Sequence, residues 1–127
     1  MAGMNDTMVA WLSAQLDADE RAASAATPGP WTYDPTRGFR MPGSDPLEFV
    51  STGAGGNVRG IAATGPADDP QSMADAGHIA RHDPEHVLAD VQAKRKIILR
   101  YPQSDVIRLL AAGYRDRPGY QPGWAPS

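Results

Sequence analysis

DDPQSMADAGHIARHDPEHVL, residues 68–88, holds two helix starts, all three histidines of the chain and its only metal-ligand spacing. Asp69-Pro70 and Asp83-Pro84 each supply a side-chain oxygen for unbonded helix N–H groups, followed by a residue already fixed near helical φ. The pattern predicts helices over 70–81 and 84–100 that meet at a corner around Asp83. On the second helix Val87, Leu88, Val91, Ile97 and Ile98 form the apolar stripe. A further short helix is expected over 105–112, capped by Ser104 and ended by Gly113.

Toward the N-terminus the period changes from helical to alternating. Residues 31–33, 47–51 and 58–62 read as short strands between glycine and proline clusters. Gly53-Ala54-Gly55-Gly56-Asn57 reads as a hairpin loop that needs positive φ. It is not a phosphate-cradling loop, which would require a following Lys-Ser or Lys-Thr and a helix. Residues 7–25 form the expected first helix, with Asp6 or Thr7 as cap and Met8, Val9, Leu12 and Leu16 at helical spacing. Trp11 lies beside that stripe, and Asp17, Asp19 and Glu20 sit too far along to benefit the macrodipole. Thr27-Pro28-Gly29-Pro30 ends the helix, because each proline lacks a donor and restricts its predecessor.

The expected fold is therefore α+β, as a single domain over 1–127. An N-terminal helix (7–25) precedes a small antiparallel sheet of about three strands (31–63), three short helices (70–113) and an irregular aromatic tail (114–127). Tyr114, Tyr120 and Trp124 are costly to leave in water, so the tail is expected to fold back. On its own domain it would complete the core, and on a partner it would be the contact surface.

With 127 residues and 21% of them charged, the chain suits one small domain. Its 13 glycines and 12 prolines keep helices short without imposing a collagen-like repeat. Absence of cysteine excludes disulfides and thiolate metal sites. The first twenty residues carry neither a basic n-region nor an unbroken apolar run, so a cytoplasmic protein with no membrane partner is expected. The net charge of −3 weighs against general nucleic-acid affinity. Acidic residues outnumber basic ones seven to four up to Pro66, whereas eight of each follow from Ala67.

Asp75, His78 and His82, spaced i, i+3 and i+7, share one helical face. They could present two imidazoles and a carboxylate to a divalent ion, zinc first, with His86 or Glu85 closing the site. The alternative is that these are helix-terminal groups with local hydrogen bonds. The glutamate of an HExxH site is missing, and Asp75 could pair with Arg81. Lys94, Arg95, Lys96 and Arg100 cluster near the end of their helix, where they complement its dipole or meet phosphate or an acidic protein. No aromatic residue is interleaved there to stack on bases. No catalytic residue is assigned, since no serine or threonine stands out as a nucleophile and cysteine is absent.

The run from Asp17 through Ala26-Thr27-Pro28-Gly29-Pro30-Trp31, the run Asp75-Ala76-Gly77-His78-Ile79-Ala80-Arg81-His82-Asp83-Pro84, and the closing Leu109-Leu110, Tyr114, Pro118-Gly119-Tyr120 and Trp124 resemble an uncharacterised family found in actinobacteria and their phages. The resemblance covers nearly the whole chain, with ATPGPW and HIARHDP as its labels, and implies no activity. Similar proteins often carry a cysteine-containing insertion where Tyr101 to Val106 runs straight across here. The shared motifs suggest a scaffold in which Trp31 packs against the helix carrying Ile79. The leading expectation is a non-enzymatic accessory or interaction protein of phage or mobile-element type, acting through self-association or an unknown protein partner. The alternative is a metal-binding domain or metal-dependent enzyme built on Asp75, His78 and His82. No other cofactor is expected.

Overall fold

The computed structural model describes residues 3–40, 42–53 and 58–127. Along the chain run α1 (Met4–Ala25), β1 (Trp31–Thr32), β2 (Leu47–Thr52), β3 (Arg59–Pro66), α2 (Pro70–Arg81), α3 (Pro84–Arg100), α4 (Val106–Ala112) and a 3-10 turn (Pro122–Trp124). The fold is α+β, as expected. Two compact units divide the chain, one of Met1–Ala22 with Leu88–Ser127 and one of Ala23–Val87. No described helix is long and apolar enough to cross a membrane.

The first unit is helical. Met8, Leu12 and Leu16 from α1, Val91 and Ile98 from α3, Ile107 and Ala111 from α4, and Tyr114 and Trp124 from the tail are all buried. Of the stripes read from the sequence, Met8, Leu12, Leu16, Val91 and Ile98 enter this core, while Val9, Leu88 and Ile97 are half-buried. Each fully buried large aliphatic side chain contributes about 1.5–3 kcal/mol.

Helix α1 starts at Met4, a turn earlier than expected, and neither Asp6 nor Thr7 is its cap. Gly3 precedes the helix. Its carbonyl accepts the Thr7 N–H at 3.1 Å, and its own N–H donates to the Asp6 carboxylate at 3.2 Å. Asp6 therefore acts from the third helical position, as the returning half of a capping box. Ser104 also departs from its expected role: its hydroxyl donates to the Tyr101 carbonyl at 3.0 Å, while its backbone carbonyl takes the Ile107 N–H. No side-chain cap bond forms at α4, since Asp105 already has helical φ and ψ.

The tail folds back within this unit. Trp11 lies 5.7 Å from Tyr120 and 5.4 Å from Trp124 between ring centroids, and Tyr120 meets Trp124 edge-on at 5.6 Å. The Trp11 indole N–H donates to the Pro118 carbonyl at 2.9 Å. Gly119 holds φ at +92°, and a Cβ there would lie 2.6 Å from that indole nitrogen. Both facts require glycine.

The second unit is a three-stranded antiparallel sheet, in the order β1-β2-β3, with α2 in contact with every strand. β1, which carries Trp31, touches α2, which carries Ile79. β3 extends to Pro66, past the expected end at Ala62, because pairing continues to Leu47↔Pro66. Its ladder skips Thr64 and Ile61, two bulges that keep Phe49 opposite Ala63 and Ser51 opposite Gly60. Along β2, Glu48, Val50 and Thr52 are buried toward α2, whereas Leu47, Phe49 and Ser51 are half-buried on the other face. Gly53, which opens the expected hairpin loop, has φ +97°, and residues 54–57 of that loop lie outside the described residues.

Both aspartate caps form as the Asp-Pro pairs predict. Asp69 accepts the Ser72 N–H at 3.0 Å and its hydroxyl at 2.6 Å, and Asp83 accepts the His86 N–H at 2.9 Å. The second oxygen of Asp83 takes the Trp31 N–H at 3.2 Å, and Glu85 takes the Gly29 N–H at 2.9 Å. The corner that starts α3 thereby fastens the ATPGPW turn. Trp31 is half-buried there, its indole N–H donating to the Thr27 carbonyl at 2.8 Å.

Candidate ligand-binding face

The residues singled out for metal have other occupations. The Asp75 carboxylate accepts from the Gln71 amide at 2.9 Å. Nδ1 of His82 lies 2.8 Å from the His78 carbonyl, and the two rings stack with centroids 4.4 Å apart. His86 meets His82 edge-on at 5.6 Å. Glu85, the expected closing residue, is engaged with Gly29. Among the described residues no three His, Asp or Glu side chains stand close enough together to hold a metal ion. Asp75 and the C-cap His82 stand seven positions apart, a rise of about 10 Å at helical spacing, which is long for one ion without help from another element.

The basic end of α3 is partly consumed by ion pairs. Lys94 bonds Asp90 at 2.7 Å and the Tyr114 hydroxyl at 3.0 Å, and lies 4.8 Å from the centre of that ring. Burial pulls the Lys94 ammonium down, but the bonds to Asp90 and Tyr114 outweigh it and leave its pKa raised. Arg95 spans Asp17 at 2.7 Å and Glu20 at 2.8 Å, and Arg117 takes Asp19 at 2.8 Å. The acidic run of α1, of no use to its dipole, is thus matched by two arginines. Lys96 and Arg100 remain exposed. Tyr114 and Trp124 are buried in their own unit, which withdraws them from any partner surface, and Tyr120 is half-buried against Trp11 and Trp124.

Chemistry beneath α2 is closed off. The Tyr33 hydroxyl donates to the Glu48 carboxylate at 2.8 Å, and Glu48 is only 1% exposed. Burial, that bond and the neighbouring charges of Glu48, Asp34 and Asp68 push the Tyr33 pKa up to about 12. Across the same layer the Thr64 hydroxyl donates to the Ser72 carbonyl at 2.6 Å. A Cβ at Gly65 would collide with the Ser72 hydroxyl.

The opposite face of the sheet is open. Phe39 and Leu47 exchange both backbone hydrogen bonds, at 2.8 and 2.7 Å, which extends the edge of the sheet by one residue beside β2. Residues paired this way project to the same face. Phe39 accordingly lies next to Phe49, with centroids 5.3 Å apart and planes tilted by 58°. Phe39 is 45% exposed. The two rings border a hollow of about 570 Å³ lined also by Arg37, Arg40, Val58 and the β3 segment from Gly60 to Ala63. A second hollow of about 550 Å³ shares Arg37, Phe49 and Val58, and adds Thr32, Asp34, Ser51 and Gly53.

The loop that carries this rim is locally built. Asp34 accepts the Thr36 N–H at 2.9 Å and the Thr36 hydroxyl at 2.6 Å, and its carbonyl accepts the Arg37 N–H at 3.2 Å. This Asx-turn presents Arg37. The Thr36 hydroxyl and N–H, with help from the Arg37 charge, hold the Asp34 pKa below its usual value. Arg40 donates through Nε to the Ser44 carbonyl at 2.7 Å, which fixes the stem of its guanidinium. The result is an apolar floor with a cationic rim, suited to flat groups that carry negative charge. Reading the sequence by periodicity misses Arg37, Phe39 and Arg40. Their one signal is an aromatic residue set between arginines in an otherwise polar, glycine-rich loop.

A family model described as "Family of unknown function (DUF6221)" matches residues 5–126. No curated protein and no solved structure matches the chain.

Proposed function

Because the chain belongs to the DUF6221 family, whose function is unknown, we propose its role from its own geometry: a non-enzymatic accessory protein that binds a partner through the open face of its sheet. The exposed Phe39–Phe49 pair, bordering a hollow and rimmed by Arg37 and Arg40, carries this reading. Apolar surface with a few placed polar groups is what binding sites offer. Support also comes from the titratable residues of the corner motifs. Asp69, Asp83, Glu85 and Asp75 all serve as acceptors for local or turn N–H groups, a structural employment. An origin in actinobacteria or their phages belongs to the same proposal, resting on the sequence resemblance, as does a cytoplasmic location.

The test is an NMR titration of isotope-labelled full-length protein with a panel of mononucleotides, oligonucleotides, acidic peptides and apolar carboxylates. Shifts concentrated at Arg37, Phe39, Phe49 and Ala63 for at least one class are expected. Shifts elsewhere, or none with any class, would overturn the reading.

A further inference from the structure

We infer that the open sheet face binds single-stranded nucleic acid, an inference that rests on the interaction reading above and names its partner. A single strand presents flat bases and regularly spaced phosphates. The face presents the matching groups. Stacking of a base on an aromatic ring requires an accessible ring face and is worth about 1–3 kcal/mol per base. Phe39 is accessible, and Phe49 stands 5.3 Å from it with its plane tilted by 58°, so the stacking surface is the Phe39 ring, with Phe49 flanking it.

Arg37 borders both hollows and has no ion-pair partner among the described residues. Arg40 borders the larger one, in which no lining residue is acidic. Planar guanidiniums take phosphate oxygens in pairs. The larger hollow, about 570 Å³, has room for a base with its sugar, and the adjoining one extends the path with the hydroxyls of Thr32 and Ser51. Asp34 lies on that extension and keeps its negative charge, bonded to Thr36, so phosphate contact is assigned to the larger hollow. A duplex keeps its bases stacked inside and cannot use the rings. The basic end of α3 is the poorer candidate, since Lys94 and Arg95 are paired with Asp90, Asp17 and Glu20.

With two arginines on phosphate, the logarithm of affinity should fall with log salt at a slope of about −1.4, or about sevenfold between roughly 50 and 200 mM. The experiment is fluorescence anisotropy of a labelled single-stranded DNA of about a dozen mixed nucleotides, titrated with the full chain and with Phe39→Ala and Arg37→Gln. Expected are saturable binding, at least fivefold weaker binding by Phe39→Ala, a salt slope roughly halved by Arg37→Gln, and at least fivefold weaker binding of the same sequence as duplex. Both altered side chains are solvent-accessible, and circular dichroism verifies that the variants remain folded.

Absence of saturable binding, equal binding by Phe39→Ala, or preference for duplex would overturn the inference. Should the DNA fail while an acidic peptide shifts the same resonances in the NMR titration, the nucleic-acid assignment falls and the interaction reading stands. Should no class shift them, both fall.

Discussion

The backbone N–H of Gly29 donates to the Glu85 carboxylate at 2.9 Å, joining the ATPGPW turn to the residue that follows the HIARHDP motif across 56 residues of sequence. A side chain at that point would displace the Glu85 carboxylate from its bond, because a Cβ on Gly29 would collide with it and approach Asp83 to 3.0 Å. Gly29→Ala is expected to cost about 1–3 kcal/mol, as overpacking generally does. Urea denaturation checks it. A double variant Gly29→Ala/Glu85→Ala should recover part of the loss, since the obstructing group is gone.

Closure of the tail on Trp11 is expected to carry much of the first unit's stability. Trp124→Ala removes a ring that is 2% exposed and should cost about 3–5 kcal/mol. Trp11→Phe retains an aromatic ring but loses the bond to Pro118, for about 1 kcal/mol. Near-ultraviolet circular dichroism, which reads the packed indoles, should weaken in both. An unchanged spectrum and melting curve in Trp124→Ala would contradict the docking.

Tyr33 should titrate late. Its pKa is raised from 10 to about 12, so the stability it contributes is complete below pH 10 and is lost as pH rises toward 12. Absorbance at phenolate wavelengths should show one late step that Tyr33→Phe abolishes. A late step retained in that variant would place the raised group elsewhere.

Acid should loosen the Arg95 cluster. The Arg95 side-chain bond and charge hold the Glu20 pKa below 4.5, so its contribution is present above that pH and disappears as pH falls through the lowered value. Arg95→Gln should flatten the acid limb of a stability–pH profile measured by chemical denaturation. The effect should be small, since these groups are largely solvated, and should shrink further in high salt.

Where the code is local, the sequence is a sufficient guide. Asp69 and Asp83 cap residues three positions ahead, and a proline follows each, so the starts of α2 and α3 are legible from a few neighbouring residues. α1 shows the limit of that approach. Its cap depends on Gly3, which has no side-chain oxygen to signal a start, and on Asp6 reaching backward. Helical spacing puts Asp75, His78 and His82 on one face, but which of them are already engaged, Asp75 with Gln71 and His82 with the His78 carbonyl, is read only from the structure.

What the sequence by itself determined are the helix starts, the breaks at Thr27 to Pro30, the alternation along β2 and the amphipathic stripes, all consequences of backbone geometry over a few residues. Tertiary structure alone decided that Glu85 holds Gly29, that Arg95 meets Asp17 and Glu20, and that Phe39 stands beside Phe49. The first two join residues far apart along the chain, and the third depends on the Phe39–Leu47 pairing across an irregular loop. The path of the intervening backbone, set by the burial of the whole core, brings them together.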